Sequence, residues 1–140
     1  MPLDVATKVA LASAGLIFLW ALVLGVWKYL QITRSDDGHA HVYVDIAHRA
    51  ALMYSFAAAM LGAFVQFSAW PSWLNVTSVA VVVFFFVTAI ASYAMHGARR
   101  DTTNQMHPPT PSMAVSMGAL ILGEVGGSAI IVAGFLVELC

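Results

Sequence analysis

Residues 39–49 read His-Ala-His-Val-Tyr-Val-Asp-Ile-Ala-His-Arg. On a helix that opens near His41, the side chains of His41, Asp45 and His48 fall at i, i+4 and i+7, along one face. An imidazole held by a carboxylate is a metal ligand with its supporting hydrogen bond in place. Asp45 can also pair with Arg49, four residues on. The mixed donors His39, His41, Asp45 and His48 would suit zinc, iron or copper. The structural alternative is an Asp–Arg–His cluster that caps a helix and anchors it at the lipid headgroups. His48 stands apart, because it lies about one turn inside the apolar boundary, where an ionisable residue is a functional candidate. The histidines 39, 41, 48, 96 and 107 all fall in or beside the same two loops, but those loops hold most of the polar residues, so the clustering carries little weight. Glu124, in Gly-Glu-Val-Gly-Gly, is the most deeply placed acid. It can relay protons, bind a polar group or hydrogen-bond between helices. Tyr54, Ser55, Ser92 and Tyr93 add polar tips that, with His48 and Glu124, are expected to line one cavity. Tyr93 also fits an interfacial aromatic belt.

The elements that must position these residues follow from composition. The chain has 140 residues, of which 61% are hydrophobic and 9% charged, with a net charge of −1 and a mean hydropathy of +0.84. That excludes a soluble enzyme domain, a disordered segment and a basic nucleic-acid binder. The single cysteine, Cys140, excludes an intrachain disulfide and a cysteine-based metal site. Segments 9–27, 50–70 and 76–95 contain no Lys, Arg, Asp or Glu, and 113–137 contains only Glu124. Each has the roughly 20 residues a helix needs to cross the hydrocarbon core. The predicted fold is an all-α integral membrane four-helix bundle, one domain over residues 1–140, with helices at about 7–30, 42–70, 76–96 and 112–138. The first segment lacks a basic start and a small-residue cleavage site, so it reads as a retained helix, not a signal peptide.

Five of the six Lys and Arg residues (28, 34, 49, 99 and 100) flank or occupy loops 1 and 3, against Lys8 on the other side. This bias predicts an inner (cytoplasmic) membrane protein with both termini outside and loops 1 and 3 in the cytoplasm. Residues 71–75 are expected to form a tight second turn, with Trp27, Tyr29, Trp70 and Trp73 at the interfaces. The sequon at Asn75 reads as a chance match. Loop 3, with Pro108-Pro109, is expected to fold over the mouth of the bundle. Gly123 and Gly127 form a small-xxx-small pair that predicts the tightest helix contact on the fourth helix, at an interface between helices or between subunits. Val82 is expected to face lipid.

The layout resembles the small four-helix membrane isomerases that include styrene oxide isomerase and hydroxylaminobenzene mutase. The matching stretch is His48-Arg49-Ala50-Ala51-Leu52-Met53-Tyr54-Ser55. His48 and Leu52-Met53 fit the family pattern, and Tyr54-Ser55 stand where the family has Asn-Gly. The resemblance implies a ferric heme b at the subunit interface of a homo-oligomer, a trimer, with His48 as axial iron ligand. It also implies an apolar small-molecule substrate, of epoxide or hydroxylamine type, activated by Lewis-acid catalysis at the open iron site. On that reading Asp45 orients His48, Ser55 lies beside the cofactor, and Tyr54 and Tyr93 are the candidate catalytic groups. Two alternatives remain at this point: a noncatalytic accessory or cytochrome-like subunit of a larger membrane complex, and a non-heme metal-binding membrane protein.

Overall fold

Long apolar runs without water to satisfy the backbone can only close their hydrogen bonds internally, and the chain does so as four helices. The computed structural model describes residues 1–140: α1 (Val5–Arg34), α2 (Val42–Gln66), α3 (Ser72–Arg99) and α4 (Pro111–Leu139), with no strand. At 25 to 30 residues each, the helices are roughly 38–45 Å long, more than enough to span the ~30 Å hydrocarbon core. All four are long and apolar enough to cross a membrane. Large side chains such as Leu16, Val23, Phe84 and Leu122 are left on the outside of the bundle, as lipid contact requires.

Side-chain caps fix the helix starts. Asp4 Oδ2 accepts from the Ala6 N–H (3.2 Å), His41 Nδ1 from the Tyr43 N–H (3.2 Å), and Thr110 Oγ1 from the Met113 N–H (3.2 Å). Helix α1 runs past Lys28 to Arg34, further than its apolar segment, because long cationic side chains can leave the membrane while their stems stay beside it.

The most extensive packing joins α1 to α2. Ala21 of α1 packs with Ala47 and Ala51 of α2, Ala6 and Ala10 with Leu61 and Val65, and Gly62 faces Ala10, so a seam of small buried residues lets the two backbones approach closely. Helices α2 and α3 form the centre, each touching the other three, while α1 and α4 lie on opposite flanks without contact. The tightest contact is therefore not on α4, which is the most peripheral helix. Its glycine stripe is used within the chain: Gly123 lies under the Phe85 ring, Gly127 under Val82 and the Ser78 carbonyl, and Gly134 under Trp70 and Ser68. Val82, expected on the lipid face, is completely buried because Gly127 receives it.

The α2–α3 turn falls at residues 67–71, four residues earlier than expected. Pro71 closes the turn as the residue preceding α3 instead of opening it, since its fixed φ (−62°) suits a helix start. The corner is tied by side chains. Ser68 Oγ donates to Asn75 Oδ1 (3.0 Å), Asn75 Nδ2 to the Trp70 carbonyl (3.2 Å), and Trp70 Nε1 to the Ile130 carbonyl on α4 (2.8 Å). Asn75 is 3% exposed. Asn75→Ala should cost about 1–2 kcal/mol, because it strands the half-buried Ser68 hydroxyl and the Trp70 carbonyl. Thermal denaturation in detergent measures this, and a shift no larger than that of Thr77→Ala would refute the tie.

Candidate functional site

Two constellations emerge, on opposite sides of α2. The first is His48. Its ring points across the seam to α1, where Nδ1 lies 2.9 Å from the Ala21 carbonyl oxygen. A carbonyl only accepts, so Nδ1 carries the donated hydrogen, and Nε2 is the nitrogen left to bind a metal when the ring is neutral. Nε2 has no partner in the chain and is not sealed from the surroundings. Gly25 makes the pose possible, since a Cβ there would stand 2.8 Å from His48 Cε1.

Asp45 does not hold His48. Its two oxygens are taken by Lys28 Nζ (2.6 Å) and Arg49 Nη2 (2.8 Å), because α1 delivers an ammonium to the carboxylate and charge-assisted bonds outcompete a neutral imidazole. Ser55 is also misplaced for a cofactor: it is 3% exposed and its hydroxyl donates to the Leu52 carbonyl (2.7 Å). Nor do His39, His41, Asp45 and His48 form a metal cluster. His41 caps α2, His39 turns its Nδ1 to the Asp37 carbonyl (2.7 Å) in exposed loop 1, and no three His, Cys, Asp or Glu side chains converge anywhere.

The second constellation joins α2, α3 and α4. Tyr54, stacked on Phe86 with ring centroids 4.1 Å apart, approaches the Glu124 carboxyl, and Tyr93 lies near the same carboxyl. Glu124 Oε1 is buried with no hydrogen-bond partner. A cavity of about 520 Å³ opens between α3 and α4, walled by Phe84, Phe85 and Met117 with Ser92, Tyr93 and Gln105 as polar tips. A second lobe of about 270 Å³ lies along α2, lined by Arg49, Met53, Tyr54 and again Tyr93. The residues expected to line one cavity are divided: Ser92 and Tyr93 line the first space, Tyr54 and Tyr93 the second, and neither Glu124 nor His48 lines either.

Loop 3 closes over this recess. The Gln105 N–H donates to the Tyr43 hydroxyl (2.6 Å), and Ser92 Oγ donates to Gln105 Oε1 (3.1 Å). Tyr43 in turn packs on Tyr93 and His96, with ring centroids 6.0 and 5.5 Å away. His96 Nδ1 holds Asp101 Oδ1 at 2.8 Å, and this bond keeps the Asp101 carboxyl below its usual range. His107 sits on the outer surface of the loop and reaches neither constellation. Tyr43 and Gln105 escape the sequence reading. An aromatic on the buried face of α2 is a signal for Tyr43, but nothing local distinguishes Gln105 from other loop residues.

An apolar cavity with a few converging polar tips is the ordinary form of a small-molecule site. A half-buried imidazole with one nitrogen tied to a carbonyl and the other free is the ordinary form of a metal ligand. Fold and sites together define a multi-pass four-helix membrane protein. No protein family, curated protein or solved structure matches this chain.

Proposed function

We propose that the protein binds heme b through His48 Nε2 and acts as a membrane isomerase on apolar epoxide- or hydroxylamine-type substrates. One observation carries the reading: half-buried His48 donates Nδ1–H to the Ala21 carbonyl and leaves Nε2 without a partner in the chain, on an apolar helix. The residues fit the group by donor chemistry, since a neutral imidazole of fixed tautomer is the axial ligand that heme iron takes from proteins. When bound, ferric heme supplies an open Lewis-acid position that polarises a substrate oxygen.

The remaining roles belong to the chain. Gly25 and Ala21 hold the imidazole in place. Tyr93 and Tyr54 offer hydroxyls to the polar end of a substrate, Glu124 is a buried carboxyl behind them, and the Phe84–Phe85 wall excludes water. Because His48 and the recess lie on opposite sides of α2, the imidazole of one chain serves a recess only across a contact between copies. A homo-oligomer is therefore part of the proposal, with three chains by the family resemblance.

The absorption spectrum of detergent-purified protein, expressed with ample heme, tests this. A Soret band with five-coordinate iron is the expected result. Six-coordinate low-spin iron would favour the cytochrome-like accessory subunit, and no band would overturn the cofactor. On the Lys/Arg bias, we also propose that both termini lie outside and loops 1 and 3 in the cytoplasm. In a Cys140→Ser background, Pro2→Cys should be labelled by an impermeant maleimide in intact cells and Asp101→Cys should not. The opposite pattern would invert the topology.

A further inference from the structure

The C-terminal ends of α1 and α3 border an open recess of about 390 Å³ that neither constellation uses. Arg34 and Arg100, 66 positions apart in sequence, both line it. Neither forms an ion pair. Of the neighbouring carboxylates, Asp45 is held by Lys28 and Arg49 and Asp101 by His96, while Asp37 accepts from the Ser35 hydroxyl (2.8 Å) and forms no ion pair with Arg34 or Arg100. Asp36, the remaining acid of loop 1, is exposed and pairs with neither arginine. Both arginines are exposed and unpaired, so their guanidiniums are free to take an anion at this one cavity.

The backbone adds a second observation. Arg100 ends α3 with φ 53° and ψ 33°, the left-handed conformation that glycine takes at low cost and a long side chain does not. An arginine here spends conformational energy to place a guanidinium across from Arg34. Gln31 lines the same space; its Oε1 accepts from the His41 N–H (2.9 Å), which orients its amide and leaves the NH2 group without a partner in the chain. Below the cations, Trp27 and Leu30 continue the wall toward the apolar part of α1. The site therefore has a cationic rim at the level of the helix ends and an apolar wall beneath it.

We propose that this cavity binds an anionic phosphate ester, and that its occupant is the headgroup of an acidic phospholipid. The planar fork of arginine matches phosphate oxygens bidentately, and two forks with an amide NH2 satisfy one phosphodiester. The Trp27–Leu30 wall selects a lipid over a free phosphate, because it offers the glycerol and the first acyl carbons an apolar surface, in the interfacial setting where tryptophan is favoured. The site is independent of heme binding.

The test uses the full chain in an uncharged detergent, stripped of lipid. Phosphatidylglycerol, phosphatidylcholine or inorganic phosphate is then added, and bound lipid is read by native mass spectrometry together with thermal stability. One phosphatidylglycerol per chain is expected to be retained, with a raised melting temperature. Arg34→Gln and Arg100→Gln should each weaken retention about tenfold, the loss of one charge-assisted bond pair. Arg99→Gln, an exposed neighbour outside the cavity, should not. Arg100→Gly separates binding from folding, since it suits the left-handed position and should fold at least as well while losing the lipid. Protection by millimolar phosphate without retention of phosphatidylglycerol would give the site to a soluble phosphate ester and overturn the lipid. Equal retention of phosphatidylcholine, or an equal loss in Arg99→Gln, would overturn the site itself.

Discussion

His48→Ala is expected to abolish the Soret band of the purified protein and leave its helical far-UV spectrum unchanged. The imidazole makes one hydrogen bond, to the Ala21 carbonyl, and that oxygen still lies within the hydrogen-bonded body of α1 when the ring is gone. Removal should cost the fold only about 1 kcal/mol. The α1–α2 seam rests on Ala21, Ala47 and Ala51, none of which needs the ring. Gly25→Val should lower heme occupancy with the ligand still present, because its Cβ would drive the ring off its pose. Asp45→Asn should leave the band nearly unchanged. The spacing of Asp45 and His48 predicted a supporting pair, but both carboxylate oxygens are bound to cations. His39→Ala and His107→Ala should also be neutral. A His48→Ala variant that keeps its band would move the ligand to His41 or His96 and break the link to the isomerase family.

The contrast between Asp45 and His48 shows what the amino-acid pattern could and could not disclose. Charge-free runs of about 20 residues leave lipid only one solution, so four helices were legible at once. Their ends were less so. The apolar run of α1 stops at Trp27, yet the helix continues to Arg34, and Pro71 reads as the opening of a turn until it is seen to close one just before α3. Helical spacing correctly put Asp45 and His48 near one face. It said nothing of the neighbour that decides each partner, and α1 supplied Lys28 to one and the Ala21 carbonyl to the other. Tyr54, Tyr93 and Glu124 were visible as polar tips in apolar helices, where each is costly unless used or satisfied. Gln105 was not, because its role depends on Tyr43 reaching it from 62 residues away. Glycine spacing was legible as a contact surface, but the receiving helix was not, and α3 rather than another chain fills it.

Gly127→Leu and Gly126→Leu, adjacent in sequence and identical in chemistry, should therefore have opposite outcomes. A Cβ at Gly127 would stand 2.6 Å from Val82 Cγ2 and 3.2 Å from the Ser78 carbonyl oxygen. Val82 is fully buried and cannot swing away, and a backbone oxygen cannot yield without displacing α3. Forcing a four-carbon side chain into that space should destabilise the fold by about 3 kcal/mol, the upper range of overpacking, or separate α4 from α3 altogether. Gly126 has nothing within 4 Å of its Cβ direction, so leucine there meets open space and improves helix propensity. Its effect should lie within about 0.5 kcal/mol of zero or be mildly stabilising. Thermal unfolding in detergent, with size-exclusion elution to follow assembly, reads both. The recess adds a third reporter, because Gly123 and Gly127 set the α3–α4 spacing on which the cavity between Phe85 and Met117 depends. Loss at Gly127 and tolerance at Gly126 would establish that the stripe holds α4 to its own chain. The reverse order, with Gly126→Leu breaking an oligomer and Gly127→Leu tolerated, would place the helix-4 contact between chains and overturn the packing described here.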